Sequence, residues 1–299
     1  MFDPRIPYHR RMWHYDSDRQ LSVAQLIALG SVDARTAALL WLLIQRHHSL
    51  IVSGPTDPTP GIGKTTTLNA LLGFLPPGTT LVYTAGMYED FDFKSMVEPE
   101  TTCVLANEVS DHLRIYMWSD VARELLELPK DGYAIATSCH ADTVQDVLSM
   151  LRHDLRTPAD TVRGLGIVIN IGIVGRVWPP RRRFLTVNFI APQAPDGAPN
   201  DIRLIPLAEW QAATDTFTPA SDAALAEIAT ITGMPLADFC AAIERRQRRL
   251  EELSDGRGLG PSRMREAVDA LIASEQNSEQ AEDTEDDDIK DDDAASSAP

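Results

Sequence analysis

Apolar positions along the chain alternate between two rhythms. "LSVAQLIALG" and "DARTAALLWLLIQRHH" repeat at helical spacing and predict two helices, with Asp33 placed to cap the second. "SLIVSG" is a short continuous apolar run, the pattern of a strand buried on both faces. "KTTTLNALLGFL" returns to helical spacing through Leu68, Leu71, Leu72 and Leu75. Strands over "TTLVYTAG", "TTCVLANE" and "GYAIATSCHA" then alternate with helices over "WSDVARELLEL", where Ser119 is the expected cap, and "DTVQDVLSML". "RGLGIVINIGIVGRVW" and "RRRFLTVNFIAP" predict a pair of long strands with Arg181, Arg182 and Arg183 at their junction. Past the Pro/Gly-rich "APQAPDGAPND" the pattern becomes helical, through "SDAALAEIATITG", "PLADFCAAIERRQRRLEELSDG" and "GPSRMREAVDALIASEQ".

Continuous apolar strands alternating with helices predict an α/β fold around a mainly parallel sheet, with a small helical unit after it. The expected divisions are a helical lead-in over 1–49, a core over 50–192, a C-terminal strand and helical unit over 193–274, and a tail over 275–299. Ligands of such sheets bind beyond the carboxyl ends of the strands. Gly54, Glu108 and His140 all fall at such ends.

Charge changes this picture in two places. The net charge is −17, and the last 25 residues hold eleven acids and one Lys, so about −10 of it lies there. That tail has almost nothing to bury and is expected to be disordered, serving solubility or docking a basic partner. The rest of the chain is still acidic, which argues against sequence-independent binding to nucleic acid. Arg245, Arg246, Arg248 and Arg249 read most simply as a solvated helix face, with a subunit or partner contact as the alternative. The three cysteines are scattered, as expected of reduced thiols rather than a disulfide frame or metal site. "MFDPRIPYHRRMWHYD" has no signal-peptide core and "GLGIVINIGIVG" is too short to span a bilayer, so a cytoplasmic protein without direct membrane insertion is expected.

The candidate chemistry begins at "IVSGPTDPTPGIGKTTTLNALLGFLPPG", Ile51 to Gly78. A Walker A loop is a strand, then G-x-x-x-x-G-K-[ST], then a helix. Gly63-Lys64-Thr65 supplies the second half, but Pro58 stands where the first glycine belongs. "GPT" followed by "GIGKTT" reads as an ordinary loop with Asp57–Pro60 added. The phosphate-holding amides would be those of Ile62, Gly63, Lys64 and Thr65, with Gly61 and Thr66 flanking them. Lys64 could reach the β- and γ-phosphates and Thr65 could ligate Mg²⁺. Pro60 carries no N–H, so one loop contact is expected to be missing. A lookalike loop that binds nothing is the alternative. Glu108 could hold the Mg²⁺ shell through water or orient an attacking water; otherwise it is an exposed strand-end acid. His140 could sense a γ-phosphate; otherwise it is structural.

Taken in order, these segments resemble the ATPases of type II/IV secretion, pilus assembly and archaellum assembly, above all their archaeal-type branch. "LSVAQLIALGSVDARTAALLWLLIQRHHSLIVSGPT" and "GIGKTTTLNALLGFLPPG" are similar to that branch's Walker A approach and loop. "NEVSD" stands where the family has its G-E-[VI]-R-G Walker B variant, "TSCHAD" where it has its T-x-H-A histidine box, and "RRRFLTVNFI" where it has its closing strand. "LAEIATITGMPLADFCAAIERRQRRLEEL" is similar to its C-terminal helices, so the likeness runs from about Leu21 to Leu271. The resemblance implies a RecA-like P-loop NTPase core and ATP with Mg²⁺ on Lys64 and Thr65. It implies Glu108 as the Walker B acid and His140 as the histidine-box residue. It further implies a hexameric, homo- or hetero-oligomeric ring working on an inner-membrane platform protein, peripheral to the membrane through that partner.

The departures fall on catalysis. Ala85-Gly86 replaces the family's Glu-Asp pair, leaving Glu89 and Asp90 as candidate acids, and Ser110 replaces the Walker B arginine. Only "FDFKSMVEPETT" precedes the Walker B strand, so the arginines that stabilise transferred phosphate are expected to be absent, as is a large N-terminal clamp domain. Losing one such arginine costs roughly 10³–10⁵ in rate. Three readings follow: a slow ATPase motor component, a catalytically degenerate subunit partnering a full-length ATPase, and a nucleotide kinase or DNA-remodelling ATPase. The acidic body and the lack of a second basic lid motif count against the third.

Overall fold

The computed structural model describes residues 20–55, 61–113, 116–175, 178–196, 198–275 and 277. The loop insertion at 57–60, the first nineteen residues and nearly all of the acidic tail therefore lie outside the described residues. Helices α1 (Val23–Ala28) and α2 (Ala34–Gln45) lead into β1 (Leu50–Gly54) and α3 (Lys64–Leu71). Next come β2 (Thr80–Tyr83), β3 (Thr102–Val109), α4 (Ser119–Glu127), β4 (Ala134–His140), α5 (Val144–Ser149) and α6 (Ala159–Arg163). Strands β5 (Ile167–Val174), β6 (Arg181–Ile190), β7 (Leu204–Gln211) and β8 (Thr216–Pro219) follow, then α7 (Asp222–Ile231), α8 (Leu236–Leu253) and a final helix α9 over 261–275.

All eight strands form one sheet in the order β2-β3-β4-β1-β5-β6-β7-β8. It is parallel from β2 to β5 and antiparallel from β5 outward. Alternate residues of each inner strand serve opposite faces, as the two-residue period of a strand requires. Leu50, Val52, Leu105, Ala136 and Ile169 pack with α1, α2, α3 and the C-terminal helices. Ile51, Val104, Ile135 and Val168 pack with α4, α5 and α6. With helices on both faces, β1 is buried along its whole length, which is why its sequence is continuously apolar.

The helix ends follow local chemistry. Asp33 caps α2 by accepting the Thr36 amide at 2.8 Å, and Ser22 forms a reciprocal capping box with Gln25 on α1. Ser119 does not cap α4. It lies within the helix at φ +58°, and the capping position belongs to Trp118, which makes no side-chain cap.

Two further departures concern the C-terminal part. The run after "APQAPDGAPND" is not at once helical, because β7 and β8 come first and extend the sheet from β6. Pro206, which lacks an N–H, sits in register with Asn188 beside a bulge in the β6–β7 pairing, and a proline hides a strand from its pattern. The arginine cluster also divides. Arg245 and Arg248 face solvent, but Arg246 is 2% exposed. Its guanidinium lies 5.4 Å from the Trp41 ring centroid and donates to Gln45 Oε1 at 2.7 Å and Glu275 Oε1 at 2.9 Å. Glu275 is thus a structured residue at the end of α9 and not the first residue of a tail.

Burying a guanidinium is tolerable only while its donors and charge are answered. Arg246→Ala strips Glu275 of its partner, and we expect it to lower the unfolding free energy by about 3–5 kcal/mol in urea titrations. Adding Glu275→Gln to that variant should return part of the loss. A change under about 1 kcal/mol would show that the pair is solvated.

Candidate functional site

The chain leaves β1 for β2 at the far edge of the sheet, and leaves β4 by crossing β1 to reach β5. The connections after the neighbouring strands β1 and β4 therefore depart in opposite directions, and a crevice opens between their carboxyl ends. Gly54 and His140 face each other across it as register partners. A Cβ on Gly54 would come within 2.8 Å of the Ile171 carbonyl oxygen, so the close packing of β1 on β5 demands glycine. The strand ends are tied by Asn170, whose amide donates to Ser53 Oγ at 3.0 Å and to the Ala141 carbonyl at 3.2 Å.

Helix α3 points its N-terminus at this crevice. Gly63 occupies the capping position at φ +103°, a conformation that L side chains avoid, and it offers no side chain to the first-turn amides. Ile62 is buried, Thr66 half-buried, and Gly61 and Thr65 are exposed at the mouth. Lys64 is 7% exposed and turns inward. Its Nζ lies 2.7 Å from His140 Nδ1 and 3.6 Å from Glu108 Oε2, while His140 Nε2 lies 2.9 Å from Glu108 Oε1. Ser110 Oγ donates to the same Oε1 at 2.9 Å. Lys64, Glu108 and His140, from three segments of the sequence, thus meet in one buried cluster.

Burial lowers the pKa of Lys64, and the Glu108 carboxylate works against that shift. Burial also lowers the pKa of His140, reinforced by the Lys64 cation and opposed by Glu108. The imidazole is therefore held neutral, with Nδ1 accepting from the ammonium and Nε2–H donating to Glu108. Cys139, next in line, is fully buried, and burial pushes its thiol up to about 12, so it stays protonated and is no nucleophile.

Glu89 is placed differently. Its carboxylate accepts the Ala85 amide at 2.6 Å and the Phe91 amide at 3.0 Å, which closes the loop after β2. The contacts described for it are all to its own loop. Two residues to which sequence reasoning gave no role join the site. His112 stacks edge-on to His140 at 4.8 Å, and Glu108, His112 and His140 could offer a metal three ligand atoms within 4.8 Å of one another. The Lys64 ammonium on His140 competes with that use. Arg182 reaches over from β6 and donates to the loop carbonyls of Gly61 and Ile62 at 3.0 and 3.1 Å. Its signal was the Arg181–Arg183 run at the strand junction. Beside it lies a cavity of about 510 Å³ walled by Leu26, Leu29, Ile171 and Phe184 and open to Gly61 and Thr66.

Comparison with known proteins bears on one part of the chain. Residues 15–89 match the family described as type II/IV secretion system protein. Over those residues the chain is similar to that family. A stretch of 65 residues, 22% of the chain, is 40% identical to the uncharacterized protein MJ0900 of Methanocaldococcus jannaschii, of which it spans 11%. Among solved structures, the VirB11 ATPase of the Brucella suis type IV secretion system, crystallised with sulphate, is 19% identical over 48% of each chain, with a TM-score of 0.34. The chain thus spans about half the length of that structure and a small part of MJ0900. The secretion-family match ends at residue 89, before β3 begins. The convergence of Glu108 and His140 on Lys64 is consequently an observation independent of it.

If the cluster is built as described, removing the cation should release His140. We expect the His140 imidazole of Lys64→Met to titrate at higher pH than in the wild type, followed by NMR of the ring protons. An unchanged or lower value would mean that Lys64 does not rest on His140 in solution.

Proposed function

We propose that the chain is a secretion-family ATP-binding protein with a RecA-like P-loop core, and that it hydrolyses ATP with Mg²⁺ at the mouth of α3. The observation that carries this reading is the buried Lys64–His140–Glu108 cluster beneath a helix N-terminus whose capping residue is glycine. Free first-turn amides and an inward lysine suit a polyphosphate, and a carboxylate across from them suits a hydrated Mg²⁺. In this reading the amides of Ile62, Gly63, Lys64 and Thr65 hold phosphate, with Gly61 and Thr66 at the edge. Lys64 gives up His140 for phosphate oxygens, and Thr65 and Glu108 hold the metal, Glu108 through water. Bound Mg²⁺ would neutralise charge on the transferring phosphoryl group. Ser110 keeps the Glu108 carboxylate oriented, and His140 is placed to follow whether Lys64 is engaged.

The partial match to the secretion family supports placing the chain in an oligomeric ring that acts on a membrane platform protein of a secretion or pilus system, on the cytoplasmic side. No single described helix is long and apolar enough to cross a membrane, which is compatible with contact through partners.

A second reading, a nucleotide-responsive subunit without turnover, is favoured by Glu89. That carboxylate is committed to Ala85 and Phe91 where the family resemblance calls for a catalytic acid. Equilibrium binding of ATP and steady-state turnover with Mg²⁺ separate the two. The wild type should bind and hydrolyse; Lys64→Ala should lose binding; Glu108→Gln should keep binding and lose roughly 10²–10⁴-fold in rate. Lys64-dependent binding without wild-type turnover selects the second reading. Absence of binding in the wild type sinks both.

A further inference from the structure

We infer that Arg182 is a positioning residue for the phosphate loop: its guanidinium, held on β6, orients the loop amides of Ile62 and Gly63 toward the phosphate site. The inference rests on the nucleotide reading above. Three of its nitrogens are engaged by three carbonyls: Nε by Ile62 at 3.1 Å, Nη2 by Gly61 at 3.0 Å and Nη1 by Pro180 at 3.3 Å. The N–H and C=O of a trans peptide point in opposite directions. The Gly61 carbonyl belongs to the same peptide unit as the Ile62 amide, and the Ile62 carbonyl to the same unit as the Gly63 amide. Turning both carbonyls onto Arg182 therefore turns both amides away from it.

The side chain also packs on the loop. A Cβ on Gly63 would meet Arg182 Cδ at 3.1 Å, so the arginine stem lies flat against the glycine that starts α3. A glycine-rich loop has many conformations to lose, and fixing it before a ligand arrives removes that cost from binding. One rigid fork bridging successive carbonyls does this; a lysine, with a single ammonium on a flexible stem, does it only in part.

Charge separates Arg182 from its neighbours. Successive residues of a strand face opposite sides. Arg183 pairs bidentately with Asp215 through Nε–Oδ1 and Nη2–Oδ2, both at 2.8 Å, and Arg181 lies 4.0 Å from the same carboxylate. Among the described ion pairs none neutralises Arg182. Its cation sits behind the loop and adds to the field of the α3 N-terminus. An arginine in cis thus serves the loop of a chain in which arginines near the phosphate site were expected to be lacking.

The test measures binding of ATP and of inorganic tripolyphosphate, each with Mg²⁺, to the full chain by calorimetry, with thermal melting alongside. Arg182→Ala should weaken both ligands by a similar factor, roughly 10–100-fold, the range for lost charge-assisted hydrogen bonds. Arg182→Lys should recover part of the affinity, and it carries the test should Arg182→Ala fail to fold. If Arg182→Ala binds both ligands as the wild type does while Lys64→Ala has lost them, the positioning role is overturned and the nucleotide reading stands. If Arg182→Ala only melts earlier with affinities unchanged, Arg182 is a brace and the inference is likewise overturned. If the wild type binds neither ligand, the nucleotide reading falls and the inference with it.

Discussion

A buried ammonium is the constraint around which the site is arranged. Taking an ion of that size out of water costs several kcal/mol unless nearby groups replace the lost solvation. At Lys64 that replacement comes from His140 at 2.7 Å and Glu108 at 3.6 Å. Neither acceptor could be supplied by neighbours in sequence. They come from the ends of β4 and β3, so Lys64 can be buried only if the sheet places β4 beside β1, and β3 beside β4, in the right register. The strand order and the Gly54–His140 pairing are in this sense conditions for the site.

The position of α3 depends on packing that reaches the far end of the chain. Trp41 of α2 stacks on Phe74, in the turn that ends α3, with centroids 5.1 Å apart and rings 2° from parallel. Trp41 also lies under the Arg246 guanidinium, which is tied to Glu275 at the end of α9. The C-terminal helices therefore press, through one tryptophan, on the helix whose N-terminus faces the crevice. A disturbance at Arg246 has a contiguous route of packed groups to the loop.

Much of this was legible in one dimension because the relevant rules are local. Asp33 reads as a cap from its place before an apolar helix, Lys64 as a site residue from the G-K-T triplet between a strand and a helix, and Glu108 and His140 from their places at strand ends. What escaped depends on contacts between distant segments. Arg246 looks solvated by its charge, yet Phe239, Ala242, Ile243, Leu250 and Leu253 are the buried residues of α8, and the helical period puts position 246 on their stripe. That spacing was the available signal, and it was outweighed by the three arginines around it. Strand β7 was obscured by Pro206 and the run of turn-formers before it, and Arg182 by its place in a triplet whose members face different ways. His112 carries no signal of its own, since only the geometry beyond β3 brings it to His140.

The distribution of charge about Glu108 gives the crevice two unlike flanks. On the loop side stand Lys64, Arg182 and the uncapped start of α3. On the other, Asp111, Asp146 and Asp154 line an open cavity of about 580 Å³ together with His112 and His140. At this crevice a polyphosphate meets cations from the loop side and carboxylates from the other. A divalent cation experiences the reverse gradient. Glu108 stands at the boundary, hydrogen-bonded by Ser110 and His140 and close to Lys64. Under the proposed reading, a polyphosphate draws Lys64 away from Glu108 and leaves that carboxylate to a hydrated cation, so the two ligands should favour each other's binding.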